Sequence, residues 1–288
     1  MILHYWEHFK NILKMRRIAP AVPGSEKAPH PPADAGPSLS PLPRGKGLNR
    51  HAPSPRVWGE AWGEGQISVI IPTLNAAETL ATPLSVLLVA AIVKEMIVVD
   101  GGSRDQTVAL AREAGARVIE AARGRGTQLA AGAAAAKGDW LLFLHADCQF
   151  DPGWEAAVRA FVSAPEAGSR AGYFDFALDG TAAAARRVER LVAWRCRLLA
   201  LPYGDQGLLI ARSLYDAVGG FAPLPLMEDV DFVRRLGRRR LVRIGCRCIS
   251  SARRYRRDGY WRRPLCNLCC LSLYFAGVPP HRIARLYG

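Results

Sequence analysis

The chain has 288 residues, of which the part from residue 66 onwards, about 220 residues, has the length of one large domain with a buried core. Lysine and arginine together number 39 against 25 acidic residues, and the resulting charge of +14 indicates an anionic partner: a phosphate-bearing substrate, an anionic membrane surface or a nucleic acid. No apolar stretch reaches the roughly 20 residues that cross a bilayer, so we expect no membrane-spanning segment.

The first 65 residues are predicted to form a disordered extension before a domain that spans residues 66–288. A short amphipathic piece, 2–15, precedes a segment that holds ten of the twenty prolines between Pro20 and Pro55. Proline cannot donate to a helix or a strand ladder, and this segment has few large apolar residues. No signal peptide is recognisable, so we expect reduced cysteines and a cytoplasmic protein.

Strands and helices are predicted to alternate from residue 67 onwards. Apolar runs predict strands over 67–71, 96–99 and 117–120, with helices over 77–91 and 107–114. Pro72 is expected to end the first strand, and Asp100-Gly101-Gly102-Ser103 follows the second. Such repeated units build right-handed crossovers in a mainly parallel sheet with helices on both faces. The predicted fold class is therefore α/β.

A glycine-rich and arginine-rich loop over residues 123–128 leads into a predicted helix over 129–136. Backbone N–H groups and the helix dipole at such a junction favour an anion, which makes Arg125 and Gln128 candidates for binding a phosphate. A turn that needs glycine only for its geometry gives the same pattern.

The central stretch, residues 140–151, combines a buried strand with an abrupt change of polarity. Residues 140–144 are apolar throughout, and His145 and Asp147 follow at once. In open α/β sheets ligands bind beyond the carboxyl ends of the strands, so Asp147 is placed to meet a ligand or a metal. The alternative is that Asp147 only caps the next turn.

The second half of the domain adds two strands and a long amphipathic helix. Strands are predicted over 172–178 and 208–211, and a helix over 181–199. Asp205 and Gln206 stand between glycines just before the second of these strands, where they form a plain turn or present hydrogen-bonding groups to a sugar. The expected apolar face of the helix consists of Val188, Leu191, Val192, Cys196 and Leu199.

Three acids in four residues, Glu228, Asp229 and Asp231, open a helix whose apolar face carries Val230, Val233 and Leu236. The helix dipole alone favours acids there, but a single cap does not need three. Thirteen arginines follow between residues 234 and 263, with one acid, Asp258. A final apolar helix over 265–275 packs on the sheet or lies on a membrane beside these arginines.

Seven cysteines offer two short-spaced pairs, Cys246 with Cys248 and Cys266 with Cys269. Such pairs can form a zinc site. Cys266 to Cys270, however, lie in an apolar run at helical spacing, where cysteine acts as a small hydrophobic residue.

Four motifs together resemble the family 2 glycosyltransferases of the GT-A fold. They are ISVIIPTLNAAETL, VVDGGSRDQT, HAD and MEDVD, in this order over residues 66–288. FLHAD, GDQG, SARR and FAGVPPHRIARLYG are most similar to a bacterial subgroup, the selenodomain-associated or arsenosugar-biosynthesis glycosyltransferases, which are often labelled diaponeurosporenoate glycosyltransferases. The resemblance implies a sugar transfer from a nucleotide donor, UDP-linked most often, to a small-molecule or lipid acceptor.

The resemblance also assigns roles to single residues. It makes Asp147 a ligand of a divalent metal, Mn²⁺ or Mg²⁺, on the donor diphosphate, and Asp229 the catalytic base beside Glu228. One base and in-line attack imply inversion at the sugar. The family usually has an acid where this chain has His145, a competent ligand for Mn²⁺ but less natural for Mg²⁺. The implied donor-binding residues are Pro72, Thr73, Asn75, Glu78, Asp100, Gly102, Ser103, Arg253 and Arg254.

Three alternative functions stay open on sequence grounds. A nucleotidyltransferase has a similar sheet but expects a glycine-rich, basic loop after the first strand, and the PTLNAAET loop here has neither. A nucleic-acid-binding protein would use the arginine-rich 234–263 segment, which leaves Asp100, Asp147 and Asp229 unexplained. The third alternative is an inactive transferase homologue, because of His145. Peripheral contact with the inner membrane face is compatible with the expected glycosyltransferase.

Overall fold

The computed structural model describes residues 67–287, which contain one eight-stranded sheet. The predicted disordered extension lies outside the described residues. In space the strands follow the order β3-β2-β1-β4-β7-β6-β8-β5. Their bounds are β1 Ile67–Thr73, β2 Val93–Asp100, β3 Arg117–Glu120, β4 Trp140–Phe143, β5 Cys148–Phe150, β6 Ala171–Leu178, β7 Leu208–Ala211 and β8 Leu241–Ser250.

The sheet is mixed but mostly parallel. Strands β3, β2, β1 and β4 run parallel to one another, and β6 runs parallel to β8. Strand β7 is antiparallel to both β4 and β6, and β5 is antiparallel to β8. Four of the seven neighbouring pairs are therefore parallel, which confirms the predicted α/β class with a mainly parallel sheet.

Ten α-helices surround this sheet in the described part of the chain. Every residue of β1, β4 and β7 is buried, so both faces of the central strands are covered. The helices are α1 Ala77–Leu88, α2 Thr107–Glu113, α3 Arg125–Ala135, α4 Trp154–Val162, α5 Ala183–Leu199, α6 Arg212–Ala217, α7 Glu228–Leu236, α8 Arg253–Asp258, α9 Arg262–Phe275 and α10 Pro280–Tyr287. Among residues 67–287, no helix is both long and apolar enough to cross a bilayer.

The main core lies around β1, β2 and β4, whose aliphatic side chains are almost fully buried. A cluster of aromatic rings extends it towards α7: the rings of Phe221 and Phe232 are 4.6 Å apart, and those of Phe143 and Phe221 are 4.9 Å apart. These contacts fasten α7 beside the end of β4. The helix that begins at Glu228 is thereby placed next to the residues that follow Phe143.

Two predicted boundaries are wrong because tertiary contacts extend the elements. Strand β1 continues through Pro72 to Thr73, since Pro72 and Thr73 pair in register with Val99 and Asp100 of β2. Helix α3 begins at Arg125 rather than at residue 129, so the glycine-rich loop forms the first turn of the helix.

The predicted apolar face of the long helix is correct in part. Val188, Val192 and Cys196 of α5 are buried under β6 in a second hydrophobic cluster. Leu191 and Leu199, however, are 50% and 52% exposed. These two leucines belong to another side of the helix, which no described element covers.

The sequence analysis missed β5 and β8, because β8 lies inside the arginine-rich segment. Arginines alternate there with buried residues: Arg243 pairs with Asp175 and Arg247 with Asp151, while Cys248 is buried. The charges conceal a two-residue period. Cys246 is buried too, and no group of three ligating side chains in residues 67–287 includes either cysteine pair.

Candidate active site

The carboxyl ends of β1, β2 and β4 meet at one edge of the sheet, where α/β proteins bind ligands. The buried amide of Gln128 in α3 ties this edge together. Its Nε2 donates to the carbonyl oxygens of Thr73 and Val99, both at 2.8 Å. Gln128 therefore fixes the first turn of α3 against the ends of two strands.

A cavity of about 720 Å³ opens at this edge. It lies between the loop after β1, the first turn of α3, the loop after β4 and the start of α8. Glu78 and Arg253 form an ion pair across its rim. The predicted residues that line it are Pro72, Thr73, Asn75, Glu78, Arg125, Gln128, His145, Asp147, Arg253 and Arg254.

Asp100, Gly102 and Ser103 organise the loop beside this cavity and are not among the residues that line it. The Asp100 carboxylate accepts hydrogen bonds from the N–H groups of Gly102 and Ser103, at 2.9 and 2.7 Å, and from the Thr73 hydroxyl at 3.1 Å. Burial works to raise the pKa of Asp100, but these hydrogen bonds outweigh it and lower the pKa. Ser103 in turn accepts the Asn75 N–H at 2.8 Å.

A second, smaller cavity of about 90 Å³ adjoins the first. Asp147, Asp205 and Asp229 all line it, so three carboxylates from distant parts of the chain converge there. Five residues line both cavities and mark the junction: Arg125, His145, Asp147, Ser251 and Arg254.

Asp229 is held rigidly at the start of α7. One of its carboxylate oxygens accepts the Gly204 N–H at 2.9 Å, and the other accepts the Val230 N–H at 2.7 Å. Gly204 can approach because it lacks a side chain: a Cβ there would lie 2.6 Å from Nε2 of His145. Met227, just before the helix, has a left-handed φ of 64°, a conformation found at functional turns.

Asp205 presents one carboxylate oxygen, Oδ1, that is buried without a hydrogen-bond partner among the described residues. Burial raises the pKa of Asp205 to about 6, with Arg195 opposing the rise and Asp229 and Asp147 adding to it. A buried orphan acceptor in a cavity wall suits a ligand hydroxyl.

Gln206, the partner of Asp205 in the sequence prediction, does not line either of these cavities. Its Nε2 donates to the Phe174 carbonyl at 3.0 Å, and its Oε1 accepts from Arg195 at 3.0 Å. The structure uses its side chain to hold the turn before β7.

Glu228 is buried beside the junction, and its Oε1 lies 2.9 Å from Nε of Arg125. Burial raises the pKa of Glu228 to about 7, with Arg125 opposing the rise and Asp229 adding to it. The next residue, Gly126, allows the helix to sit close, because a Cβ there would lie 2.2 Å from the Ala222 carbonyl oxygen. The glycine-rich motif thus brings Arg125 to the junction through packing.

His145 and Asp147 form a donor set that fits a divalent metal. Their ligating atoms and the Cys148 sulfur lie within 4.8 Å of one another. Burial, with Arg125 and Arg254, holds the pKa of His145 well below its usual value, so its imidazole is neutral and can ligate. The Cys248 thiol and burial raise the pKa of Cys148, which remains a thiol. One imidazole, one carboxylate and phosphate oxygens together suit Mn²⁺.

The arginine-rich segment is divided among five elements, one of which is the 3₁₀ helix Arg238–Arg240. The other four are α7, β8, α8 and the start of α9. Seven of its thirteen arginines form ion pairs with acids, namely Arg235, Arg243, Arg247, Arg253, Arg256, Arg257 and Arg263.

The sequence analysis missed six polar residues of the smaller cavity: Tyr203, Ser250, Ser251, Tyr255, Arg263 and Asn267. Asn267 carried a usable signal, because a single amide in the apolar helix α9 needs a polar neighbour. The other five come from segments where nothing in the pattern distinguishes them from surface residues.

The family model of glycosyl transferase family 2 matches residues 68–223, more than half of the chain. The chain belongs to this family. It is therefore a glycosyltransferase, and the nucleotidyltransferase alternative is wrong. The matched residues include β1 from Ser68 onwards, the loops that follow β1 and β2, the first turn of α3 and the HAD motif, whereas Asp229 and α7 lie beyond them.

Solved structures resemble this glycosyltransferase in its fold. A fragment of TarS from S. aureus in complex with UDP-GlcNAc has a TM-score of 0.51 and 18% identity, over 65% of this chain and 59% of the fragment. Glucosyl-3-phosphoglycerate synthase from Mycobacterium tuberculosis, with Mn²⁺, UDP-glucose and phosphoglyceric acid, has a TM-score of 0.49 and 26% identity, over 75% and 81%. The TarS likeness and the family confirm the expected GT-A fold. No curated protein matches the chain.

Proposed function

We propose that this glycosyltransferase moves a sugar from a nucleotide diphosphate to a hydroxyl group of a small-molecule or lipid acceptor, with inversion at the anomeric carbon. The observation that carries the proposal is the meeting of two cavities at His145 and Asp147. The larger cavity is wide enough for a nucleotide sugar. The smaller one holds the carboxylates that an attacking hydroxyl needs.

The donor would lie in the larger cavity with its diphosphate at the junction. Pro72, Thr73 and Asn75 supply the wall for the nucleoside at the end of β1. Arg125 and Arg254 at the junction carry the positive charge that faces the phosphates. UDP is the proposed nucleotide, since the family resemblance implies it most often.

A divalent metal would be held by His145 and Asp147, and when bound it would neutralise charge on the donor diphosphate. The chain's own arginines act in the same direction. Negative charge grows on the diphosphate as its bond to the anomeric carbon breaks, so Arg125 and Arg254 stabilise the transition state more than the ground state.

The acceptor hydroxyl would enter the smaller cavity and lose its proton to Asp229. As the hydroxyl oxygen bonds to the anomeric carbon, the carbon–oxygen bond to the diphosphate breaks on the opposite face. Asp205, with its unpartnered Oδ1, would accept a hydrogen bond from a second acceptor hydroxyl or from the sugar. Glu228 would act as a neighbour that holds Arg125 at the junction.

The remaining finer expectations stay predictions: the bacterial subgroup with its diaponeurosporenoate label, and the cytoplasmic location. The inactive-homologue alternative is opposed by the pair of His145 and Asp147, which retains one imidazole and one carboxylate as ligands. The nucleic-acid alternative is opposed by the ion pairs that disperse the arginine-rich segment.

Donor binding tests the proposal directly. The full chain is heated with UDP-, GDP- and dTDP-sugars, each with Mn²⁺, Mg²⁺ or EDTA, because a ligand of the folded state raises the apparent unfolding temperature. We expect one nucleotide class to stabilise the protein in a metal-dependent way. Asp147→Ala should remove the metal dependence, whereas Asp151→Ala, which breaks only the surface pair with Arg247, should retain it. No stabilisation by any donor would overturn the proposal.

A further inference from the structure

Large apolar side chains are exposed along one side of α5 and along one side of α9. Trp194 is 60% exposed, Trp261 67% and Leu268 58%. Each set follows helical spacing, so its members share a helix face. We call the combined set the apolar face: Leu191, Trp194, Leu198, Trp261, Leu265 and Leu268.

The two helices are linked at both of their ends. Near their beginnings, the Arg187 guanidinium lies over the Trp261 ring, 5.8 Å from its centre. Leu191 and Leu265 each follow this contact by one helical turn. Near their ends, Arg238 donates to the carbonyl oxygens of Arg197 and Leu198 at 3.0 Å.

The segment that contains Arg238 also contacts the end of α9. Arg234, four residues before Arg238, lies over the Phe275 ring at 5.0 Å. The two helices are therefore joined through Arg187 and Trp261 at one end and through the 234–238 segment at the other. Their exposed apolar residues belong to one side of the domain.

The charge of these elements complements an anionic surface. Helices α5, α9 and α10 together contain nine arginines and a single acid, Glu189, which is paired with Arg186. Arg187, Arg190, Arg197 and Arg262 are exposed on the helices that carry the apolar face. Arginine beside exposed tryptophan and leucine is the composition that interfacial helices use on anionic lipids.

Helix α9 also connects the apolar face with the smaller cavity. Arg263 and Asn267 line that cavity from the same helix that exposes Leu265 and Leu268. Arg263 and Asn267 lie two residues before and two residues after Leu265, so they project from the other side of α9, and the helix stands between the apolar face and the cavity. The excess of arginine over acid around the apolar face favours an anionic lipid surface as its occupant.

We propose that the apolar face docks the domain on the surface of an anionic lipid bilayer. The tryptophan rings lie at the level of the lipid headgroups, the leucines reach the acyl boundary, and the surrounding arginines contact lipid phosphates. The proposal stands on α5 and α9 and does not depend on the sugar-transfer chemistry.

Vesicle cosedimentation with the full chain tests the proposal. We expect binding to phosphatidylcholine vesicles that contain phosphatidylglycerol, little binding to phosphatidylcholine alone, and weaker binding at high salt. The double variant Leu265→Ser/Leu268→Ser should lower the partition coefficient by about tenfold or more. The matched control is Leu88→Ser/Val89→Ser, which removes two exposed apolar residues at the end of α1 and should bind like the wild type.

A second measurement locates the contact. Cys269 is exposed and lies one helical turn after Leu265 on α9, so anionic vesicles should slow its reaction with a maleimide. Equal binding of the two double variants, or unchanged labelling of Cys269 in the presence of bound vesicles, would overturn the proposal. The proposal would also be overturned if the Leu265→Ser/Leu268→Ser variant still bound vesicles but no longer formed dimers in light scattering, or no longer bound nucleic acid.

Discussion

Asp229 is held by hydrogen bonds to both of its carboxylate oxygens, from Gly204 and Val230. Such fixation suits a group that must meet a hydroxyl in one geometry. Asp231, two residues later, forms an ion pair with Arg235 at 2.7 Å. The two acids of the same motif therefore differ in what surrounds them, and this difference allows a matched experiment.

Asp229→Asn should lower the rate of sugar transfer by about 10²–10⁴-fold, because an amide cannot accept the acceptor's proton. Donor affinity, measured by calorimetry, should stay within about threefold, since the asparagine oxygen can still accept the Gly204 N–H. Asp231→Asn is the control and loses only a surface ion pair, worth about 0.3–0.5 kcal/mol. An equal loss of donor binding and transfer in Asp229→Asn would remove Asp229 from the role of base.

Glu228 should make the protein less stable as pH rises. Burial raises its pKa from 4.5 to about 7 in the folded protein. The stability that the folded protein gains by holding this carboxyl in its neutral form is fully present below the pKa of the unfolded chain, and it is lost as pH rises through about 7. Glu228→Gln keeps the neutral shape. The free energy of unfolding of the wild type relative to this variant should therefore fall by at most about 3 kcal/mol between about pH 5 and pH 8.

Urea unfolding at several pH values measures this difference for Glu228→Gln. Glu166→Gln, an exposed glutamate paired with Arg170, serves as the control for the loss of a surface charge. A wild-type advantage that grows with pH would show that the ion pair with Arg125 outweighs burial.

At the scale of elements, α3 depends on the absence of a side chain at Gly126. Its first turn fits against the loop over 222–224, and the Gly126 N–H donates to the Leu224 carbonyl oxygen at 3.3 Å. The same turn carries Arg125 and is fixed by Gln128 to the ends of β1 and β2. The position of the junction therefore depends on packing between segments about 100 residues apart in the sequence.

Gly126→Ala should destabilise the fold by about 1–3 kcal/mol, although alanine favours helices, because the new Cβ would lie 2.2 Å from the backbone oxygen of Ala222. Thermal and urea unfolding measure the change, and donor affinity should fall with the displacement of Arg125. Gly168→Ala is the control, since a Cβ there meets nothing within 4 Å. Equal stability of the two variants would contradict the close fit of α3.

At the scale of the whole molecule, burial of cysteines reports how tightly the domain is packed. Cys148, Cys196, Cys246, Cys248 and Cys270 are buried as free thiols, while Cys269 is exposed and Cys266 is half-buried. They come from β5, α5, β8 and α9, so together they sample both hydrophobic clusters and the final helices.

Maleimide labelling followed by peptide mass spectrometry should modify Cys269 first and Cys266 next in the native protein. The five buried thiols should react only through unfolding, because large openings of a packed core are rare. In strong denaturant all seven should react. Rapid native labelling of Cys148 or Cys248 would show that the sheet edge formed by β5 and β8 opens independently.

The sequence by itself determined the elements whose residues follow a recognisable local pattern. The apolar runs of β1, β2 and β4, the helix that opens with Glu228 and Asp229, and the position of Asp147 just after a strand all follow from composition and spacing. The family motifs added the order of the strand-end loops. Ten of the predicted site residues line one cavity, because carboxyl ends of parallel strands meet at one edge.

Tertiary structure alone decided the rest, because partners distant in sequence set it. The arginine-rich strand β8 is recognisable only once Asp151 and Asp175 pair with its outward arginines. Asp100 and Gln206 hold neighbouring turns through hydrogen bonds to backbone groups and to the side chains of Thr73 and Arg195, which only the folded chain brings to them. The convergence of Asp147, Asp205 and Asp229, and the shared exposed side of α5 and α9, arise from packing of segments whose separation along the chain carries no local signal.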